Sequence, residues 1–174
     1  MLGQCNTESE DEIMDARFNL FENEISSKYS KRFANTSLVI QQSSLPDSTQ
    51  ELVSLRVSQI NGCGWCIDFH TKEMAAAGET SVRLNLVAAW RESTVFTEAE
   101  QAALALAEEG TRLADAQQGV SDETWARVRG HYDDDQVAAL VCLVAQINAA
   151  NRLAVIVHQK GGSYEVGMFA AAAG

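Results

Sequence analysis

The stretch Asn61-Gly62-Cys63-Gly64-Trp65-Cys66-Ile67-Asp68-Phe69-His70 carries two cysteines three residues apart and a histidine four residues after the second. On a helix, positions three, four and seven apart share a face, so both sulfurs and the imidazole fall on one side. Gly62 can take the left-handed conformation that ends a preceding helix, and a second helix then begins at or within the cysteine pair. Reactive cysteines work as thiolates and are activated by a helix N-terminus or a neighbouring imidazole, and this arrangement offers both. Cys63 falls at the helix end. Cys66 falls one turn inside, four residues before His70. The His70 spacing favours Cys66 as nucleophile and Cys63 as resolving partner. The position of Cys63 argues the other way, since in some oxidoreductases the first cysteine at the helix end is the acidic one.

The helix before the corner reads from Ser43-Ser44-Leu45-Pro46-Asp47, with Ser44 as N-cap and Pro46 in the first turn, to about Asn61. It carries Glu51. If the two helices pack as an antiparallel hairpin, Glu51 folds back to His70, and a carboxylate bonded to an imidazole fixes its tautomer and raises its basicity. A peroxide oxidising a thiolate gives a sulfenic acid and an alkoxide or hydroxide that needs a proton, which an imidazole can supply.

The remaining chain also reads as helices. Met74 lies on the cysteine helix, which Gly78 ends, and Glu79-Thr80-Ser81 starts a short helix through Trp90. Thr97-Glu98-Ala99-Glu100 resembles a capping box for a helix ending near Gly110. Ser121 starts another that ends near Gly130. The last begins around Asp133-Asp134-Asp135, whose carboxylates suit a helix N-terminus, and carries the stripe Val137, Leu140, Val141, Val144, Ile147, Asn151, Ala154 and Val155. Cys142 beside that stripe is assigned to the core, and Trp65, Trp90 and Trp125 to packing. Upstream, Ile13, Phe18, Phe21, Ile25 and Tyr29 predict an amphipathic helix from Glu12 to about Phe33. Residues 36–43 read as a further short helix or an irregular connection. Nothing alternates with period two over a useful length. The expectation is an all-α chain: a loose acidic tail over residues 1–12, with Cys5 exposed, and one helical domain over 13–174.

Composition narrows the function. The chain has 174 residues and is 46% hydrophobic, which fits one domain with a sizeable core. Thirteen Lys and Arg against 24 Asp and Glu give a net charge of −11, which argues against nucleic acid and anionic membranes as partners. No apolar run approaches the roughly 20 residues of a membrane span. No basic and apolar leader is evident, so the cytoplasm is the expected location. There, a Cys-x-x-Cys is catalytic or metal-binding rather than a structural staple.

Glu51, Cys63, Cys66 and His70, at these spacings, resemble the core signature of the AhpD-like alkylhydroperoxidases of the carboxymuconolactone decarboxylase superfamily. The surrounding text is similar too: Leu55 to Cys63, His70-Thr71-Lys72, Ala77-Gly78-Glu79, Ala88 to Glu92, Phe96-Thr97-Glu98 and Ile147 to Ala154. The likeness covers roughly residues 45–160. It implies an all-helical subunit in trimers, hexamers or other homo-oligomers, with no cofactor. It also implies a peroxidase in which Cys66 attacks a hydroperoxide, Cys63 resolves, His70 and Glu51 relay protons, and a thiol or dithiol reductant recycles the disulfide. One position departs from the pattern: the best-known peroxidases of the family have a histidine where this chain has Trp65. The superfamily's decarboxylases lack the cysteine pair, which points away from lactone decarboxylation.

Other readings of the same residues stand beside this one. Two buried thiols can pack as small hydrophobes. Two thiolates, an imidazole and a carboxylate can also hold zinc, although the short spacing on one helix makes a closed site awkward. Glu51 alone could be a solvated residue near a helix start. His131 and His158 read as residues of helix ends. Asn148, Asn151 and Arg152 read as bonds between helices or subunits. The functional alternative is an oligomeric redox-sensing or binding protein that uses the thiols stoichiometrically.

Overall fold

The computed structural model describes residues 16–20, 22–116 and 118–168. Among them it is all-helical, with α1 Glu24–Gln41, α2 Asp47–Asn61, α3 Gly64–Ala76, α4 Ser81–Leu86, a 3-10 helix Val87–Glu92, α5 Glu98–Thr111, α6 Asp122–His131 and α7 Asp134–Ile156.

Helix α2 is the central element. Leu52, Val53, Leu55 and Val57 are all buried, on more than one side of the helix. Val53 and Val57 join Leu106 of α5 and Leu140 and Val144 of α7 in one apolar cluster. Leu52 and Leu55 join Met74, Trp90 and Leu104 in a second. A helix that is apolar on several sides belongs inside. Burying one such Leu or Val contributes about 1.5–3 kcal/mol. Gly62 caps α2 in the left-handed conformation, at φ +66. That turn sends α3 back along α2.

Local signals set most of the helix ends. Thr97 and Glu100 form the expected capping box on α5, and Asp133 with Gln136 forms another on α7. Other expectations need correction. Helix α1 starts at Glu24, not Glu12, because the Asn23 side chain accepts the Ile25 and Ser26 N–H groups at 3.0 and 3.2 Å and caps it there. It then runs unbroken to Gln41, through residues 36–41. Ile13, Phe21, Cys5 and the acidic tail lie outside the described residues. Ile25 is 81% exposed and Tyr29 is half exposed, so the expected apolar face of α1 is not buried in this chain. Ser44 is not the cap of α2. Pro46 occupies that place without a side-chain bond, and its carbonyl accepts the Thr49 and Gln50 N–H groups. The short helix after Gly78 passes from α4 into the 3-10 helix at Val87, and the 3-10 helix is itself kinked at Ala89 (φ −122, ψ 32).

Helix α7 is long and apolar enough, by length and composition, to cross a membrane, with a mean hydropathy of 1.6. It is nonetheless a core helix that packs on α2 and α5. Its buried face is Val137, Leu140, Leu143, Val144, Asn151 and Ala154, whereas Val141, Cys142 and Val155 lie on the exposed side. Cys142 is therefore a surface thiol, contrary to expectation. One residue is 100° of helix, enough to carry a side chain from the core to the surface. Trp90 packs in the core as expected, but Trp125 is 42% exposed.

Candidate active site

The corner at Gly62 is held by a polar network. The Cys63 N–H donates to the Ser58 carbonyl at 3.0 Å. The Asn61 amide donates to Asn148 and Asn151 at 3.0 and 2.9 Å, and Asn151 donates to Ser58 Oγ at 3.1 Å. Asn151 is 1% exposed. Its bonds tie α7 to the end of α2, which fixes where α3 begins. Arg152, by contrast, is exposed and bonds back to Asn148 within its own helix.

Cys63 is the N-cap of α3, and its sulfur accepts the Cys66 N–H at 3.3 Å. The two cysteines form a disulfide with 5.3 Å between their Cα atoms. Both are buried, packed with Ala154 of α7 and partly against Trp65. One turn on, His70 is buried, and its Nδ1 lies 2.8 Å from Glu51 Oε2. Glu51 belongs to α2, nineteen residues away in sequence, so the hairpin brings these groups together as its spacing implied. All four sequence-predicted residues thus meet in one place. Among the described residues, no group of three His, Cys, Asp or Glu side chains is arranged to hold a metal ion. His131 and His158 are exposed.

Cys66, His70 and Glu51 line a cavity of about 240 Å³. Phe33 and Ile40 of α1 form one wall, and Leu143 and Ile147 of α7 form another. Trp65 and Phe69, stacked with centroids 5.9 Å apart, also line it. The α1 wall is clamped by Gln146 of α7. Its Nε2 donates to the Phe33 carbonyl and Ser37 Oγ at 3.1 and 2.6 Å, and its Oε1 accepts from Thr36 at 2.7 Å. Sequence reading missed Gln146 because it sits between stripe residues as an ordinary polar position. It also missed the segment after α7, where Gly161-Gly162 was the available signal.

An imidazole–carboxylate pair beside a disulfide-forming Cys-x-x-Cys, inside an all-helical core, defines a dithiol–disulfide site on an AhpD-like fold. The chain belongs to the carboxymuconolactone decarboxylase family: the sequence pattern of the "Carboxymuconolactone decarboxylase family" matches residues 28–109, a span that contains all four site residues. The chain is 41% identical over 122 residues to the uncharacterized protein YdfG of Bacillus subtilis, covering 70% of this chain and 82% of that one. It is also similar to a crystal structure from Agrobacterium tumefaciens, a protein of unknown function provisionally described as the antioxidant defence protein AhpD. The TM-score is 0.79 at 31% identity, over 86% of this chain and 100% of that chain. An uncharacterized peroxidase-related protein from Ralstonia eutropha, described as an alkylhydroperoxidase AhpD core, shares the fold at 16% identity, with a TM-score of 0.67 over 79% of this chain and 72% of that chain.

Proposed function

We propose that this protein is a thiol-dependent peroxidase that reduces hydroperoxides through the Cys63–Cys66 pair. The observation that carries the reading is the placement of Cys66 and His70 on one cavity, with Nδ1 of His70 engaged by Glu51. In the reduced protein the Cys66 thiolate attacks the terminal peroxide oxygen. The O–O bond breaks, a sulfenic acid forms on Cys66, and the alkoxide or hydroxide leaves with a proton from His70 Nε2. Glu51 holds the ring in place through its bond to Nδ1. The Cys63 thiol then displaces the sulfenic oxygen as water and closes the disulfide. Two electrons pass to the peroxide, and a thiol or dithiol reductant restores them.

Steady-state peroxide consumption with dithiothreitol tests this. Wild type should turn over, and Cys66→Ser should abolish turnover; a Cys66→Ser protein that consumes peroxide at the wild-type rate overturns the mechanism. Trp65, in the position of the family histidine, favours a second reading, a redox-sensing protein that reacts once without turnover. A single stoichiometric burst in the same assay would establish that reading instead. A homo-oligomer, a trimer or hexamer above all, and a cytoplasmic location complete the proposal. The exposed apolar residues Val39 of α1 and Val141 and Ile156 of α7 are surfaces a subunit contact would cover, and light scattering on the purified protein checks it.

A further inference from the structure

After α7 the chain turns back and crosses α3. Two carboxylates on α3 hold it. Asp68 Oδ2 accepts the Gly162 and Tyr164 N–H groups at 2.7 and 3.0 Å. Lys72 pairs with Asp68 at 2.7 Å and donates to the Gly162 and Tyr164 carbonyls at 3.2 and 2.8 Å. Glu73 accepts the Tyr164 hydroxyl and, at 2.9 Å, the Gly167 N–H. The Tyr164 ring is buried and meets Phe69 and Trp65 edge-on, at 4.8 and 6.3 Å between centroids. At Gly161 the crossing chain touches the start of α3. A Cβ there would stand 2.4 Å from the Gly64 carbonyl oxygen and 3.2 Å from the Trp65 nitrogen, so glycine is the residue that lets the two backbones meet.

The crossing meets the backbone of Gly64 and Trp65, the two residues that follow Cys63. That sulfur belongs to a residue 1% exposed, packed with Ala154 and Trp65, and it is not among the walls of the cavity that Cys66 lines. Cys66 is also buried, at 4%, so what separates the two is that Cys66 lines the cavity and Cys63 does not.

We infer that residues 157–168 form a strap that shields Cys63 and leaves Cys66 as the sulfur open to attack, with Gly161 and Tyr164 as its positioning residues. The inference rests on the reading of this pair as a redox centre, but its test requires no peroxide. It also gives the reducing step a direction. A thiolate entering the cavity attacks Cys66 Sγ; a new S–S bond forms to Cys66 and the Cys63–Cys66 bond breaks. The electron pair leaves on Cys63, where the Cys66 N–H already donates. A second thiolate then attacks the sulfur of the first and releases Cys66, so a dithiol leaves oxidised and both cysteines are reduced. Oxidant and reductant would take turns in one cavity.

The test is pulse alkylation of the reduced full-length chain with N-ethylmaleimide, each cysteine followed by peptide mass spectrometry and the exposed Cys142 serving as internal reference. In wild type, Cys63 should label at least about 10-fold more slowly than Cys66. Gly161→Ala should raise Cys63 labelling about 10-fold and change Cys66 by less than about twofold. Tyr164→Phe, which keeps the ring and loses the bond to Glu73, should raise it by a smaller factor. A pH series separates acidity from access: a changed thiolate population moves the midpoint, while a lifted strap raises the plateau. Cys63 labelling as fast as Cys66 in wild type overturns the inference, and so does Cys63 labelling unchanged in both variants. Absence of peroxide turnover with the labelling pattern intact would count against the peroxidase reading and leave the strap standing.

Discussion

Glu51 of α2 and Glu108 of α5 are both carboxylates on core helices, and their surroundings differ in kind. Glu108 accepts from Arg56 at 2.7 Å, from the Trp90 indole at 3.0 Å, and from Arg91. Burial pushes its carboxyl upward, but Arg91, Arg56 and Trp90 outweigh burial and hold it below the ordinary glutamate range. Its side chain is 11% exposed. Glu51 pairs with His70, lines a cavity, and keeps 37% of its side chain exposed. A carboxylate engaged on both oxygens by guanidinium and indole donors from other elements joins them; one that holds a single imidazole at a cavity wall is placed to orient it.

Exchanging the two roles by mutation tests that contrast. Glu51→Gln should reduce peroxide turnover by about 10²-fold or more, because the His70 ring loses its anionic partner, while thermal stability changes little. A Glu51→Gln enzyme with full turnover would break the comparison from one side. Glu108→Ala should cost about 3–5 kcal/mol, since it leaves Arg56 with an uncompensated charge in the core, and should lower Tm by on the order of 10 °C. The folded fraction should keep its peroxide chemistry; loss of chemistry without loss of stability would break the comparison from the other side. The sign with pH follows. Glu108 and Glu100 are both depressed, in Glu100 because Arg83 and Thr97 outweigh burial. Their contribution is complete above the unfolded glutamate value of about 4.3 and is lost as pH falls through the lower folded values. The Glu108→Ala chain should accordingly show a flatter fall in denaturant midpoint between about pH 5 and pH 3. Asn151→Ala removes the buried bonds to Ser58 and Asn61, which keep Ser54 and Asn148 as partners, and should cost about 1–3 kcal/mol by urea unfolding. Smallest of all, Lys28→Ala removes the exposed pair with Glu24 on α1 and should leave Tm within about 1 °C.

The site was more legible in the sequence than the surfaces around it. Cys63, Cys66 and His70 share a face because a helix repeats its geometry over three or four residues, and that holds before any tertiary contact forms. Gly62, Thr97 and Asp133 act on their own backbone neighbours and were readable for the same reason. Helix α1 was misplaced because apolar spacing predicts a buried face only where another element covers it; Asn23 set the start instead, and Ile25 stayed outside. Cys142 was misassigned because a stripe of eight residues spread from Val137 to Val155 of a 23-residue helix contains positions on both edges, and packing against α2 and α5 chose between them.

Sequence alone therefore determined the all-helical class, the corner at Gly62 and the thiol–imidazole face of α3, all of them consequences of local backbone geometry. The tertiary structure decided what no local rule reaches. Glu51 meets His70 across the hairpin, Asn151 reaches Asn61 ninety residues away, and the chain beyond α7 returns to Asp68 across ninety-four. Those contacts depend on the path of the whole chain. They decide which sulfur faces the cavity and which lies beneath the strap.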